Sequence, residues 1–243
     1  MLRPSFLKLL LGVCVGASTS SSWAAAVKPY GLKARAAIGP FLNGRLPDVA
    51  PSDRGLPPPL LSQAGVFEDL GSLKPADGLI PYGVNSAQWS DGAVKSRWIA
   101  LPNDGAPYGA GEVIQFSPTG DWSFPKGTVF VEHLELPIDG ADPRARKRLE
   151  TRLLVLGKDG GAYGVAYRWR ADNSDADLLV RAEMEDVLVT GVDGKERHQI
   201  WPYPSRRDCL RCHTPDANFV LGVKARHLNG DISYPREGFA DIV

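Results

Sequence analysis

The stretch KRLETRLLVLGKDGGAYGVAYRW, Lys147–Trp169, decides the fold class. In its first half Leu149, Thr151, Leu153 and Val155 alternate with Arg148, Glu150 and Arg152. A period of two is the signature of a strand, because successive side chains point to opposite faces. The apolar set is expected to point one way and the charged set to form a ladder on the other, with Glu150 a cross-strand partner and not a catalytic carboxylate. Lys158-Asp159-Gly160-Gly161 reads as a hairpin turn, since Gly supplies the left-handed backbone such turns need. Beyond it Tyr163, Val165, Tyr167 and Trp169 share one face of a second strand. Two strands joined by so short a turn must run antiparallel.

The same pattern extends in both directions. Val94–Leu101 places Trp98 and Ile99 on opposite faces, and Thr128–Leu136 (TVFVEHLEL) is apolar on both, as a central strand is. Met184–Thr190 and Glu196–Trp201 form another hairpin around Asp193-Gly194. The chain carries 26 Gly and 20 Pro in 243 residues, about 19% against a usual ~12%. Dense turn residues between short strands predict a mainly β protein, an antiparallel sandwich or a barrel-like core. Residues 27–80 show no sustained period and read as an extended Pro/Gly-rich leader over a core, with room for a short helix over Leu60–Leu70. Residues 81–201 form the β-rich domain. Pro202 and Pro204 are expected to stop strand pairing, and Ser205-Arg206-Arg207-Asp208 has the form of a helix N-terminus.

Composition removes several classes of function. The 28 basic and 28 acidic residues balance, which excludes the strongly basic footprint of a nucleic-acid binder. Arg3 and Lys8, the apolar run Leu9–Ala17 and the small residues Ala24-Ala25-Ala26 read as a secretory signal over residues 1–26. That run is shorter than the ~20 residues a membrane span needs. Lipidation of Cys14 is disfavoured, because Val13 stands where a small residue is required. The expectation is a periplasmic or otherwise exported protein without a transmembrane anchor. Its mature form keeps two of the three cysteines, Cys209 and Cys212, and one methionine, Met184.

Cys209-Leu210-Arg211-Cys212-His213 is a C-x-x-C-H pentapeptide, the attachment signature of c-type haem. One helical turn puts both sulfurs on one side, each able to add to a haem vinyl group, and the next residue supplies an axial imidazole. Residues 202–243 are thus read as a haem c attachment segment, with one covalent haem and His213 as proximal iron ligand. Three rival readings stand beside it. A Cys209–Cys212 disulfide would leave a non-haem interaction domain, a thioredoxin-like pair expects a βαβ context, and a zinc site needs four ligands. The sixth iron ligand is open, with His227, His133 and Met184 as candidates, His198 behind them, and a water-bound site a further alternative. Arg144–Arg148 (RARKR) reads as a solvated loop or a docking patch, and Tyr82–Gly92 as a hydrogen-bonded loop or a sugar-binding surface.

Four blocks carry a resemblance: GLIPYGVNSAQWSDGAVKSRWIALP (78–102), WSFPKGTVFVEHLELP (122–137), KRLETRLLVLGKDGGAYGVAYRWRADNSDADLL (147–179) and YPSRRDCLRCHTPDANFVLGVKARHLN (203–229). Together the chain from Gly55 to Asn229 resembles a family of bacterial c-type cytochrome-like proteins, haem modules fused to or encoded near quinoprotein glucose/sorbosone-type sugar dehydrogenases. The resemblance implies an exported electron-transfer protein whose redox partners are such a dehydrogenase and a respiratory-chain acceptor. Only Cys209, Cys212 and His213 carry over as site residues. Family members more often carry Gln at the position of His227 and continue beyond Val243, so a truncated C-terminus is one expectation. The alternative is a haem-dependent oxidoreductase whose β-domain binds a carbohydrate.

Overall fold

The computed structural model describes residues 57–86, 88–102 and 109–231. The signal 1–26 with Cys14, leader residues 27–56 and the C-terminal stretch 232–243 lie outside the described residues. In chain order the elements are α1 (Leu61–Ala64), β1 (Phe67–Asp69), β2 (Lys74–Pro75), β3 (Leu79–Pro81), β4 (Val94–Ala100), β5 (Val129–Pro137), β6 (Arg146–Leu156), β7 (Ala162–Trp169), β8 (Ala176–Leu178), β9 (Glu183–Thr190), β10 (Glu196–Tyr203), α2 (Arg206–Cys212) and α3 (Ala225–Leu228). Strands β3 to β8 form one antiparallel meander in sequence order, and β1–β2 and β9–β10 are separate antiparallel ribbons. The mainly β, antiparallel expectation holds. The barrel-like alternative does not: β3 and β8, each three residues long, remain edges, too short to close a cylinder.

The hairpin of Lys147–Trp169 forms as the turn residues require, with Gly160 at φ 87°. One irregularity changes its faces. Leu134 pairs Glu150 but Glu135 pairs Arg148, so Leu149 is an extra residue in β6. Such a bulge puts two neighbouring residues on one side and reverses the alternation beyond it. Leu149 therefore leaves the face of Thr151, Leu153 and Val155 and packs with Leu134 and Leu136 on the opposite one. Arg148 moves the other way, its guanidinium 4.8 Å from the Trp169 ring centroid. Glu150, expected in an exposed-type ladder, is fully buried.

The sheet has two covered faces. On the first, Trp98, Val131, Leu153, Val165, Tyr167 and Trp169 are buried beneath Leu61, Ala64, Val66 and Phe67. Tyr167 Oη donates to Pro58 O at 2.9 Å, and Ser62 Oγ to Asp175 at 2.6 Å. The described part of the supposed leader is thus a cover that completes the core, and the 80/81 boundary cuts through β3. Its sequence has no period because its contacts are made one residue at a time.

On the second face β9–β10 packs over one end through Val187, Val189, Trp201 and Tyr203. Residues 219–228 and the loop carrying Trp122 and Phe124 cover the other end, over Ile99, Phe130 and Leu154. Pro202 does not stop pairing: it opposes Met184, and β10 continues to Tyr203 opposite Glu183. In a two-stranded ribbon each strand has a free edge, where a missing N–H leaves no ladder bond unmade.

Candidate functional site

Helix α2 begins as the sequence predicts. Asp208 N donates to Ser205 Oγ, and Asp208 Oδ2 accepts from Ser205 N at 2.9 Å, a reciprocal capping box. The Ser205 hydroxyl, which donates to Asp208 Oδ2 at 2.6 Å, and then the Ser205 N–H hold the Asp208 carboxyl below the usual carboxylate range. The helix lies against β7, whose second face offers Ala162, Gly164 and Ala166 between the large residues of the first. A Cβ at Gly164 would stand 2.7 Å from Cys209 Sγ and closer still to its Cβ, so only glycine admits the helix here.

Both thiols are free, Cys209 half-buried over Gly164 and Cys212 exposed. Burial pushes the Cys209 thiol up, against the downward pull of Arg152. That is the reverse of the lowered thiol a thioredoxin-like pair needs, and the described sheets contain no βαβ unit.

His213 caps the C-terminus of α2, its N–H donating to Cys209 O at 3.1 Å. Its ring Nδ1 lies 2.6 Å from Phe219 O. A carbonyl only accepts, so Nδ1 carries the hydrogen, and in the neutral ring Nε2 is then the nitrogen with the free lone pair. Phe219 reaches this position through two successive left-handed residues, Asn218 (φ 49°) and Phe219 (φ 60°). That conformation costs roughly 1–2 kcal/mol for a residue such as Phe. Phe219 N–H donates to Thr214 O at 2.9 Å, which helps hold the turn.

A band of charge that sequence reading missed lies beside α2. On the second face, Arg97, Glu132, Arg152 and Ala166 are register neighbours across β4 to β7, and Lys95, Leu134, Glu150 and Arg168 form the adjacent row. Arg152 donates to buried Glu150 from Nε at 2.9 Å and Nη2 at 2.6 Å, and Trp201 Nε1 donates to the same carboxylate at 3.0 Å. Arg97 and Lys95 stand 3.1 and 3.6 Å from Glu132. Burial lowers the Lys95 ammonium, partly offset by Glu132. The one sequence signal was the small-residue alternation Ala162, Gly164, Ala166, which marks where another element approaches.

The sixth-ligand candidates fall in three places. His133 is fully buried on the first face, its Nδ1 2.8 Å from Thr151 Oγ1 and its ring edge-on to Trp169 and Phe67. The sheet itself separates it from α2. Met184 and His198 point outward from the β9–β10 ribbon, His198 against Asp186 at 2.9 Å. His227 lies on α3, in the same C-terminal segment as His213, with a buried Nδ1 that has no hydrogen-bond partner. No group of three or more His, Cys, Asp or Glu able to hold a metal ion occurs among the described residues.

Other sequence features are absorbed by the fold. Lys147 pairs Glu185 at 3.0 Å, and Arg148 donates to Leu70 O and Gly71 O at 2.7 and 2.6 Å, so only the start of RARKR faces solvent. In the Tyr82–Gly92 segment, Asn85 Nδ2 donates to Arg226 O at 2.9 Å and ties down α3, while Trp89 is exposed.

The site therefore combines two free thiols one helical turn apart with an oriented imidazole, on an open antiparallel meander. No protein-family model, curated protein or solved structure matches the chain. No described helix is long and apolar enough to cross a membrane.

Proposed function

We propose that this chain is an exported c-type haem protein that carries electrons in the periplasm. Cys209 and Cys212 would form the thioethers and His213 would bind the iron from its proximal side. The observation that carries this reading is the Nδ1 bond from His213 to Phe219 O. A metal-ligating histidine commonly donates its other ring nitrogen to a carbonyl or carboxylate, which fixes tautomer and ring orientation. A histidine that merely ends a helix has no need of a strained left-handed Phe beneath it.

The residues fit the group: both thiols are unpaired, and the Cys209 side chain is seated by Gly164 at the sheet surface. The haem, when bound, supplies reversible one-electron chemistry at iron. The chain's own part is to hold α2 rigid through Ser205 and Asp208, to orient His213, and to keep the attachment turn against a packed sheet. The resemblance noted above supports a quinoprotein sugar dehydrogenase as electron donor and a respiratory-chain component as acceptor.

Two experiments test the proposal. Full-length protein produced with the haem-attachment machinery should be found in the periplasmic fraction and give a pyridine haemochrome with the c-type band. Cys209→Ala and Cys212→Ala should each shift that band toward the one-thioether position, and its absence from the parent protein would falsify the haem reading. Mixing oxidised protein with sugar alone, then with sugar plus dehydrogenase, separates carrier from enzyme. Reduction by sugar alone defeats the carrier reading.

A further inference from the structure

The second face is apolar at both ends, and its middle is a band of charge that the attachment turn does not use; Arg168 at its margin is paired with Glu183 and Glu185, which leaves five residues to consider. Lys95, Arg97 and Arg152 are set against Glu132 and Glu150, a surplus of one positive charge. The side chains of Lys95 and Arg97 are only 6% and 12% exposed. Taking cations out of water is costly unless anions compensate them. Compensation here is incomplete. Glu132 serves both Lys95 and Arg97, and at 3.6 Å Lys95 Nζ is beyond a normal hydrogen bond to it. Glu150 is committed to Arg152 and to Trp201.

Position supplies the second argument. Arg152 opposes Ala166, two residues from Gly164 on which Cys209 rests. Diagonal neighbours of this kind stand about 7–8 Å apart. Glu150 holds the guanidinium by Nε and Nη2, which leaves its remaining N–H groups without a partner among the described residues while a third of the side chain stays exposed. A planar guanidinium with spare donors and a neighbouring ammonium is the arrangement that recognises carboxylates.

We propose that Lys95, Arg97 and Arg152 form a clamp for the propionate carboxylates of a haem attached at Cys209 and Cys212, with Glu150 as the residue that positions Arg152. The clamp rests on the haem reading above. It gives the second face a task the sheet alone does not have: it orients the porphyrin by its two anionic groups, independently of the thioethers and of His213.

The test uses full-length protein made without the attachment machinery, kept reduced, and titrated with haemin and with haemin dimethyl ester, which lacks the charged carboxylates. The clamp predicts that haemin binds about tenfold tighter or more than the ester, as lost charge-assisted bonds require. Arg152→Gln, Arg97→Gln and Lys95→Gln should each weaken haemin severalfold and leave the ester unchanged. Glu150→Gln should do the same more weakly, by loosening Arg152. Equal curves for the two porphyrins in the parent protein, including binding of neither, overturn the clamp whatever the variants do. The c-type band of the machinery-matured protein is measured in parallel. Its loss sinks the proposed function, whereas a normal band with equal curves sinks the clamp alone.

Discussion

The two faces of the six-stranded sheet are built from the same strands, residue by alternate residue, and do different things. The first is sealed by residues 57–75 into a continuous apolar core in which even its histidine is a packing group. The second is covered piecemeal, by a ribbon at one end and the C-terminal segment at the other, with charge between. The face whose cover is continuous holds the larger apolar core, and the proposed haem site lies on the face whose cover is interrupted. A site needs room for a ligand, and a fully packed face has none.

Substitutions can break this contrast. Leu153→Ala removes a buried side chain from the first face and should cost about 2–5 kcal/mol in denaturant unfolding. Haem attachment in the folded fraction should be unaffected; a loss of c-type band beyond the loss of folded protein would show that the faces are not separable. Gly164→Val acts on the other side of the same sheet. It should cost roughly 1–3 kcal/mol by overpacking and, unlike Leu153→Ala, displace α2 and lower the haem content of protein that remains folded.

The third prediction concerns pH. Burial holds the His133 imidazole below its ordinary value of 6.5, despite the opposing pull of Glu135 and with a smaller contribution from Arg148. The unfolded chain then takes up a proton that the folded chain refuses. His133 stabilisation is present above pH 6.5 and is lost as pH falls from there toward the lowered folded value. The slope is at most about 1.4 kcal/mol per pH unit. Melting curves between pH 7.5 and 5 should show this slope in the parent and a flatter one in His133→Leu; identical slopes would remove His133 as the source. The smallest effect is expected from Ser205→Ala, about 1 kcal/mol from the lost cap, with fraying of α2 and slower haem attachment but an unchanged first-face core.

Comparing sequence and structure element by element shows where reading the chain succeeds. The hairpins at Asp159-Gly160 and Asp193-Gly194, the Trp98/Ile99 alternation and the Ser205–Asp208 capping box were all legible, because each is decided within a few residues. The pentapeptide Cys209–His213 was legible for the same reason. Glu150 was misread, since its burial depends on Leu149 bulging out of register with a strand a dozen residues earlier, and on Trp201 arriving from β10. Pro202 was misread because whether a proline breaks a strand depends on which edge faces a neighbour. That residues 57–80 lie over a core was legible, but not which strands they cover, because contacts such as Tyr167 to Pro58 and Ser62 to Asp175 span more than a hundred residues of chain.

Sequence alone therefore determined that this protein is antiparallel β with a capped helical turn presenting two cysteines and a histidine. Periodicity, turn chemistry and capping are local properties of the chain. Only the tertiary structure decided that the turn lies on Gly164, that Phe219 orients His213, that His133 is walled off by the sheet, and that Arg152, in one band of charge with Arg97 and Lys95, lies near Cys209. Burial and convergence of charge are set by which distant segments pack together, and no local pattern records that.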